Sequence, residues 1–110
     1  MPSQTKYAMV GEFGGIGAFV AGKEWVPGKC HTYLKEKTVQ EEAAEYVNMT
    51  ATLIAEVPLG LSASIYTQIT DVELECDGFL NYDRSPKFDA ATAQTVADAN
   101  RKLIAVAAAA

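Results

Sequence analysis

Two apolar runs suited to strands, each followed by a long loop-like segment and then by an amphipathic helix, set the limits on what this 110-residue sequence can fold into. The first run, Tyr7-Ala8-Met9-Val10, stops at Gly11-Glu12-Phe13-Gly14-Gly15 and lacks apolar–polar alternation, as parallel strands covered on both faces do. A glycine-rich stretch from Gly14 to Lys37, holding Trp25, Pro27 and Gly28, reads as one long loop, a length that tends to be functional. Thr38-Val39-Gln40-Glu41 then fits a capping box, and Ala43, Tyr46, Val47, Thr50, Leu53, Ile54 and Val57 recur at helical spacing. Pro58 and Gly60 end that helix. The second strand is read at Leu61–Thr67, another long segment runs to Lys87, and Asp89 caps a last helix with its stripe at Ala93, Val96, Ala97, Asn100, Leu103 and Ile104.

Strand-to-helix alternation with a minimal helix-to-strand turn is the pattern of βα units in a parallel sheet, so the fold class expected is α/β, built from two βα units. In such folds the chemistry sits on the loops that leave the strands' C-terminal ends. Here those are the two long segments, which points to a site near Glu12 and Tyr66. Two strands alone leave both sheet edges open, so further strands or a second copy of the chain are expected as partners.

Composition removes several functions. Nine basic against 14 acidic residues give a net charge of −5 and no basic stripe for a nucleic-acid backbone. No apolar run approaches the ~20 residues of a membrane span, and Met1-Pro2-Ser3-Gln4-Thr5-Lys6 lacks the apolar stretch of a signal peptide. Cys30 and Cys76 have no second cysteine near either and read as free thiols, a single bridge being the alternative. His31 beside Cys30 does not amount to a metal site, and no metal or cofactor is expected. Asp71-Val72-Glu73-Leu74-Glu75-Cys76-Asp77 alternates acidic and apolar residues and reads as a solvated strand face. The sequon Asn48-Met49-Thr50 falls inside the first helix, where glycosylation is not expected.

Three segments, in order and at matching spacing, resemble one family. Val10-Gly11-Glu12-Phe13-Gly14-Gly15 is similar to the motif around the nucleophilic Glu of retaining glycoside hydrolases of the β-galactosidase and β-glucuronidase family, family two. Gly60-Leu61-Ser62-Ala63-Ser64-Ile65-Tyr66-Thr67-Gln68-Ile69-Thr70-Asp71-Val72-Glu73 is similar to that family's last barrel strand and its loop. Gly78-Phe79-Leu80-Asn81-Tyr82-Asp83-Arg84, with Lys87 after it, resembles the segment that closes the barrel. The resemblance implies that residues 1–110 are the seventh and eighth βα units, the last quarter of a (β/α)₈ catalytic barrel. At roughly 31 residues per unit in a ~250-residue barrel, two units with long loops fit the length.

That resemblance makes Glu12 the expected nucleophile and Tyr66, Trp25, Asp71 and Glu73 the expected sugar-site residues. The implied activity is hydrolysis of terminal β-linked sugars, which needs two carboxyl groups: one ionised to attack, one protonated to release the leaving group. The family's acid/base Glu follows an Asn on an earlier strand, and this sequence has no Asn-Glu pair. The expectation is a partial hydrolase carrying the nucleophile without the acid/base. The alternative is a non-catalytic module that associates through its open sheet edges.

Overall fold

A computed structural model describes residues 4–110. It is a small α/β fold: β1 (Ala8–Phe13), β2 (Ile16–Gly17), β3 (Leu34–Lys35), α1 (Val39–Glu56), β4 (Leu61–Tyr66) and α2 (Ala90–Ala109), with a single 3₁₀ turn at Val57–Leu59. β1 and β4 pair in parallel, Ala8 opposite Leu61 and Phe13 opposite Tyr66, as the strand–helix–strand order predicts. Both strands therefore end on the same side, and Thr67 N continues the pairing by donating to Phe13 O at 2.8 Å. The reading of Gly14–Lys37 as uninterrupted loop is corrected: Ile16–Gly17 and Leu34–Lys35 form a second short parallel pair.

α1 starts where the capping box places it. Thr38 Oγ1 accepts from Glu41 N at 3.1 Å while Glu41 Oε2 accepts from Thr38 N at 3.2 Å, so two helix-end donors are satisfied. Gly60 closes the following 3₁₀ turn in the left-handed conformation, φ 109°, with its N–H on Val57 O. Asp89 caps α2 through Thr92 N at 2.7 Å. The described residues include no helix long and apolar enough to cross a membrane. The expectation drawn from the first residues, Met1-Pro2-Ser3, lies outside the described residues.

The core gathers Ile16, Ala43, Tyr46 and Val96, with Phe13, Met49, Tyr66, Phe79 and Phe88 packed against it. Tyr46 is its centre: its ring meets Phe79 and Tyr66 edge-on at 4.9 and 5.0 Å, and its hydroxyl donates to Asn100 Oδ1 at 2.6 Å, tying α1 to α2. Both helices thus cover the sheet face that carries Phe13 and Tyr66. The opposite face is open, with Met9 and Ile65 54% and 52% exposed. In α2 the middle of the stripe read in the sequence faces inward, Val96 buried and Ala97, Asn100 and Leu103 half-buried, but its ends do not: Ala93 and Ile104 are exposed, Ile104 by 67%, and Thr92 is buried instead. The helix is so rich in alanine that its apolar contrast does not fix a face.

Candidate functional site

Where β1 and β4 end, Glu12, Phe13, Gly14 and Gly15 on one side and Thr67 and Gln68 on the other frame an open cleft of about 460 Å³. Tyr33 and Glu75 complete its walls. Glu12 is exposed at the rim and its Oε1 accepts from Thr67 Oγ1 at 2.6 Å, a bond between the two parallel strand ends. Gly14 is required beneath it. Its φ is +116°, and a Cβ there would run into the Tyr66 ring at 2.5 Å.

The other residues expected at the site lie elsewhere. The Tyr66 ring stacks on Phe79 at 4.5 Å and meets Phe13 edge-on, while its hydroxyl donates to Asp77 O at 3.2 Å. It supports the cleft floor and does not line the cleft. Burial, with the Glu42 and Asp77 carboxylates nearby, holds its phenol well above the usual range. Trp25 packs on Tyr82 with ring centroids 4.7 Å apart, away from the cleft. Glu73 occupies the exposed tip of a turn closed by paired bonds between Val72 and Glu75, with φ 50°. Asp71 is buried, its Oδ1 accepting from Gly78 N at 2.8 Å and from Lys87 Nζ at 2.9 Å. The residues 71–77 are accordingly not a solvated strand face. The chain turns at Glu73–Leu74, and Asp71, Cys76 and Asp77 go inward.

The free-thiol reading of the cysteines is also corrected, because Cys30 and Cys76 form a disulfide. Around it His31 N donates to Leu74 O at 2.8 Å and Cys76 N to His31 O at 3.0 Å. With the Lys23–Asp83 ion pair at 2.6 Å and the Trp25–Tyr82 contact, these bonds clamp the two long segments along each other. Tyr33 and Glu75, the outer walls of the cleft, sit within three residues of the bridged cysteines. The disulfide therefore fixes the distance between those walls.

Beneath the cleft lies a charged cluster that the sequence reading missed. Lys87 Nζ stands 2.9 Å from Asp71 and 3.6 Å from Glu42, and all three side chains are almost wholly enclosed. Glu42 Oε2 also accepts from Ala18 N at 2.6 Å, anchoring the start of the first long segment to α1, while Oε1 has no partner within the protein. Glu42 shares a helical stripe with Tyr46, Thr50 and Leu53, which was the available signal; it was obscured by the commonness of acidic residues in a first helical turn. No group of His, Cys, Asp and Glu among the described residues is arranged to hold a metal ion.

This cluster gives stability an unusual pH dependence. Burial pushes the Glu42 carboxyl up to about 7 against the opposing pull of Lys87, and burial likewise raises Asp71 and Asp77. A carboxyl raised on folding binds its proton more tightly in the native state than in the unfolded chain. Its contribution is then full below the ordinary carboxylate range and is lost as pH rises through about 7. From Glu42 alone, unfolding free energy is expected to fall by about 3 kcal/mol between pH 4.5 and 8. Asp83 and Asp89 are lowered, by Lys23 and by the Thr92 N–H respectively, so their contribution is lost only below about pH 4. Urea melts across this range should place maximum stability near pH 4–5, and Glu42→Gln should flatten the slope above it.

No protein-family model matches the chain. No curated protein matches it either.

Proposed function

We propose that this chain is the nucleophile-bearing part of a retaining β-glycoside hydrolase, the last two βα units of a (β/α)₈ barrel, with Glu12 as the attacking carboxylate. The observation that carries this reading is the parallel pairing that brings Glu12 and Thr67 to one rim, bonded at 2.6 Å over a cleft open to solvent. A nucleophile needs this combination of a rigid strand base and an exposed head. In the proposed step a Glu12 oxygen forms a bond to the anomeric carbon as the bond from that carbon to the leaving-group oxygen breaks, and Thr67 holds the carboxylate in line. In the family's pattern the proton for a poor leaving group comes from a Glu that follows an Asn on an earlier strand, and this sequence has no such pair. The purified chain is therefore expected to hydrolyse alkyl β-glycosides, whose alkoxide leaving group needs that proton, no faster than buffer. Hydrolysis lost on Glu12→Gln would place the missing acid within the chain and contradict the proposal.

A second reading has support of its own. The open sheet face exposes Met9 and Ile65, and Tyr7 is exposed beside them, as expected of a surface that meets further strands or another copy of the chain. The two readings are compatible, since the side chains of strands across a barrel from β1 and β4 would cover the same face.

A further inference from the structure

Whatever the cleft binds, we propose that residues 19–36 are a strap closed by oxidation: the Cys30–Cys76 disulfide holds them along residues 71–81, and reduction releases them from a core that stays folded. None of residues 19–36 is buried, and the core cluster draws no member from them. Besides the bridge, their ties lie near the surface. Leu34 N and Glu36 N donate to Gly15 O and Gly17 O at 2.8 and 3.0 Å, a strand pair of two residues. His31 shares backbone bonds with Leu74 and Cys76, Thr32 Oγ1 donates to Gly15 O at 2.9 Å, and Lys23 and Trp25 reach Asp83 and Tyr82. Exposed bonds and an exposed ion pair do little to offset the entropy of ordering about 18 residues.

The other side of the bridge is anchored. Asp71 is enclosed with Lys87 and accepts from Gly78 N at 2.8 Å, and Phe79 packs on the core. Cys76 is 1% exposed, and its carbonyl lies so close to Gly17 that a Cβ there would come within 2.0 Å of it. The disulfide, with its Cα atoms 5.7 Å apart, thus joins a fixed wall to one held mainly from outside. Tyr33 rides on the strap with its ring against Gly15, where a Cβ would stand 2.9 Å from it, so release strips this wall from the cleft. Closure is a two-electron oxidation. One cysteine thiolate attacks a small-molecule disulfide, forming a mixed disulfide and releasing one thiol. The second cysteine displaces the remaining thiol, and Cys30–Cys76 forms. A dithiol reverses this, its sulfurs becoming the disulfide and its protons passing to the cysteines.

The test compares NMR spectra of the full chain, oxidised and after equilibration with dithiothreitol. On reduction the Cα chemical shifts over residues 19–36 should move to coil values, while Tyr46, Thr67, Asp71 and Phe79 keep theirs. Iodoacetamide should then alkylate Cys30 within about threefold of the rate for a cysteine in an unstructured peptide. Reoxidation with glutathione disulfide should restore the native shifts, and the double variant Cys30→Ser, Cys76→Ser should match the reduced chain without any reductant. Native shifts over residues 19–36 in the reduced chain, or alkylation of Cys30 slowed more than about 100-fold, overturns the proposal, because the strap is then held without the bridge. Loss of the shifts at Tyr46, Thr67 and Phe79 together with those of the strap also overturns it, because the core then depends on the bridge.

Discussion

Lys87→Met is expected to cost about 3–5 kcal/mol of unfolding free energy, the range for removing one partner of a buried ion pair. The Lys87 ammonium meets both Asp71 and Glu42, and it also reaches Cys76 O at 3.4 Å. Without it two carboxyls remain enclosed with no countercharge and must protonate or pull the structure open. Against the 5–15 kcal/mol that stabilises a domain of this size, the loss leaves little margin at neutral pH. The penalty should shrink toward pH 4.5, where Glu42 is protonated in any case. A triple variant, Glu42→Gln, Asp71→Asn and Lys87→Met, should recover much of it by removing the buried charge altogether. Chemical denaturation at pH 5 and pH 7.5 separates these cases. An unchanged midpoint for Lys87→Met at both values would mean that the cluster is not enclosed as described.

Loss of the disulfide is expected to have an effect of similar size. Cys30 and Cys76 lie 46 positions apart, and closing a loop of that length in the unfolded chain corresponds to about 4 kcal/mol on the chain-entropy model. Cys30→Ser with Cys76→Ser should lower the urea midpoint accordingly. Local loosening should appear first at Tyr33 and Glu75, the cleft walls adjoining the bridge. Because Cys76 is buried, reduction of the folded protein should be slow and should accelerate in denaturant. Rapid native-state reduction with no change in midpoint would contradict the clamping role.

The parts of this molecule legible in the sequence are those fixed by local rules. Thr38 and Glu41 announce a helix start because a capping box is a short-range exchange of hydrogen bonds, and Pro58 and Gly60 announce its stop for the same reason. The parallel pairing of β1 with β4 followed from the helix between them. The features that escaped depend on approaches across the chain. The pairing of Cys30 with Cys76 requires the two long segments to lie side by side, which nothing local dictates. Alternation at residues 71–77 looked like a strand face, but the bonds between Val72 and Glu75 and the left-handed Glu73 turn the chain instead. Glu12 was legible as a residue of the cleft because its segment is local. Tyr33 and Glu75 were not, because each reaches the cleft only through the disulfide-clamped segments. Nothing local in the sequence links Glu42 with Lys87, and only packing shows that they meet.

The proposed role of Glu12 as a nucleophile at the cleft can be tested by covalent trapping. A 2,4-dinitrophenyl 2-deoxy-2-fluoro-β-glycoside of a neutral hexose carries a leaving group that departs as a stable phenolate without an acid. Attack by the Glu12 carboxylate would form the glycosyl ester and release one dinitrophenolate, and the fluorine would slow hydrolysis of the ester. Incubation of the purified chain followed by peptide mass spectrometry should find the sugar on Glu12, with no more than one equivalent of phenolate released and no labelling of Glu12→Gln. Modification at another carboxylate, or none after prolonged incubation at saturating reagent, would contradict the account.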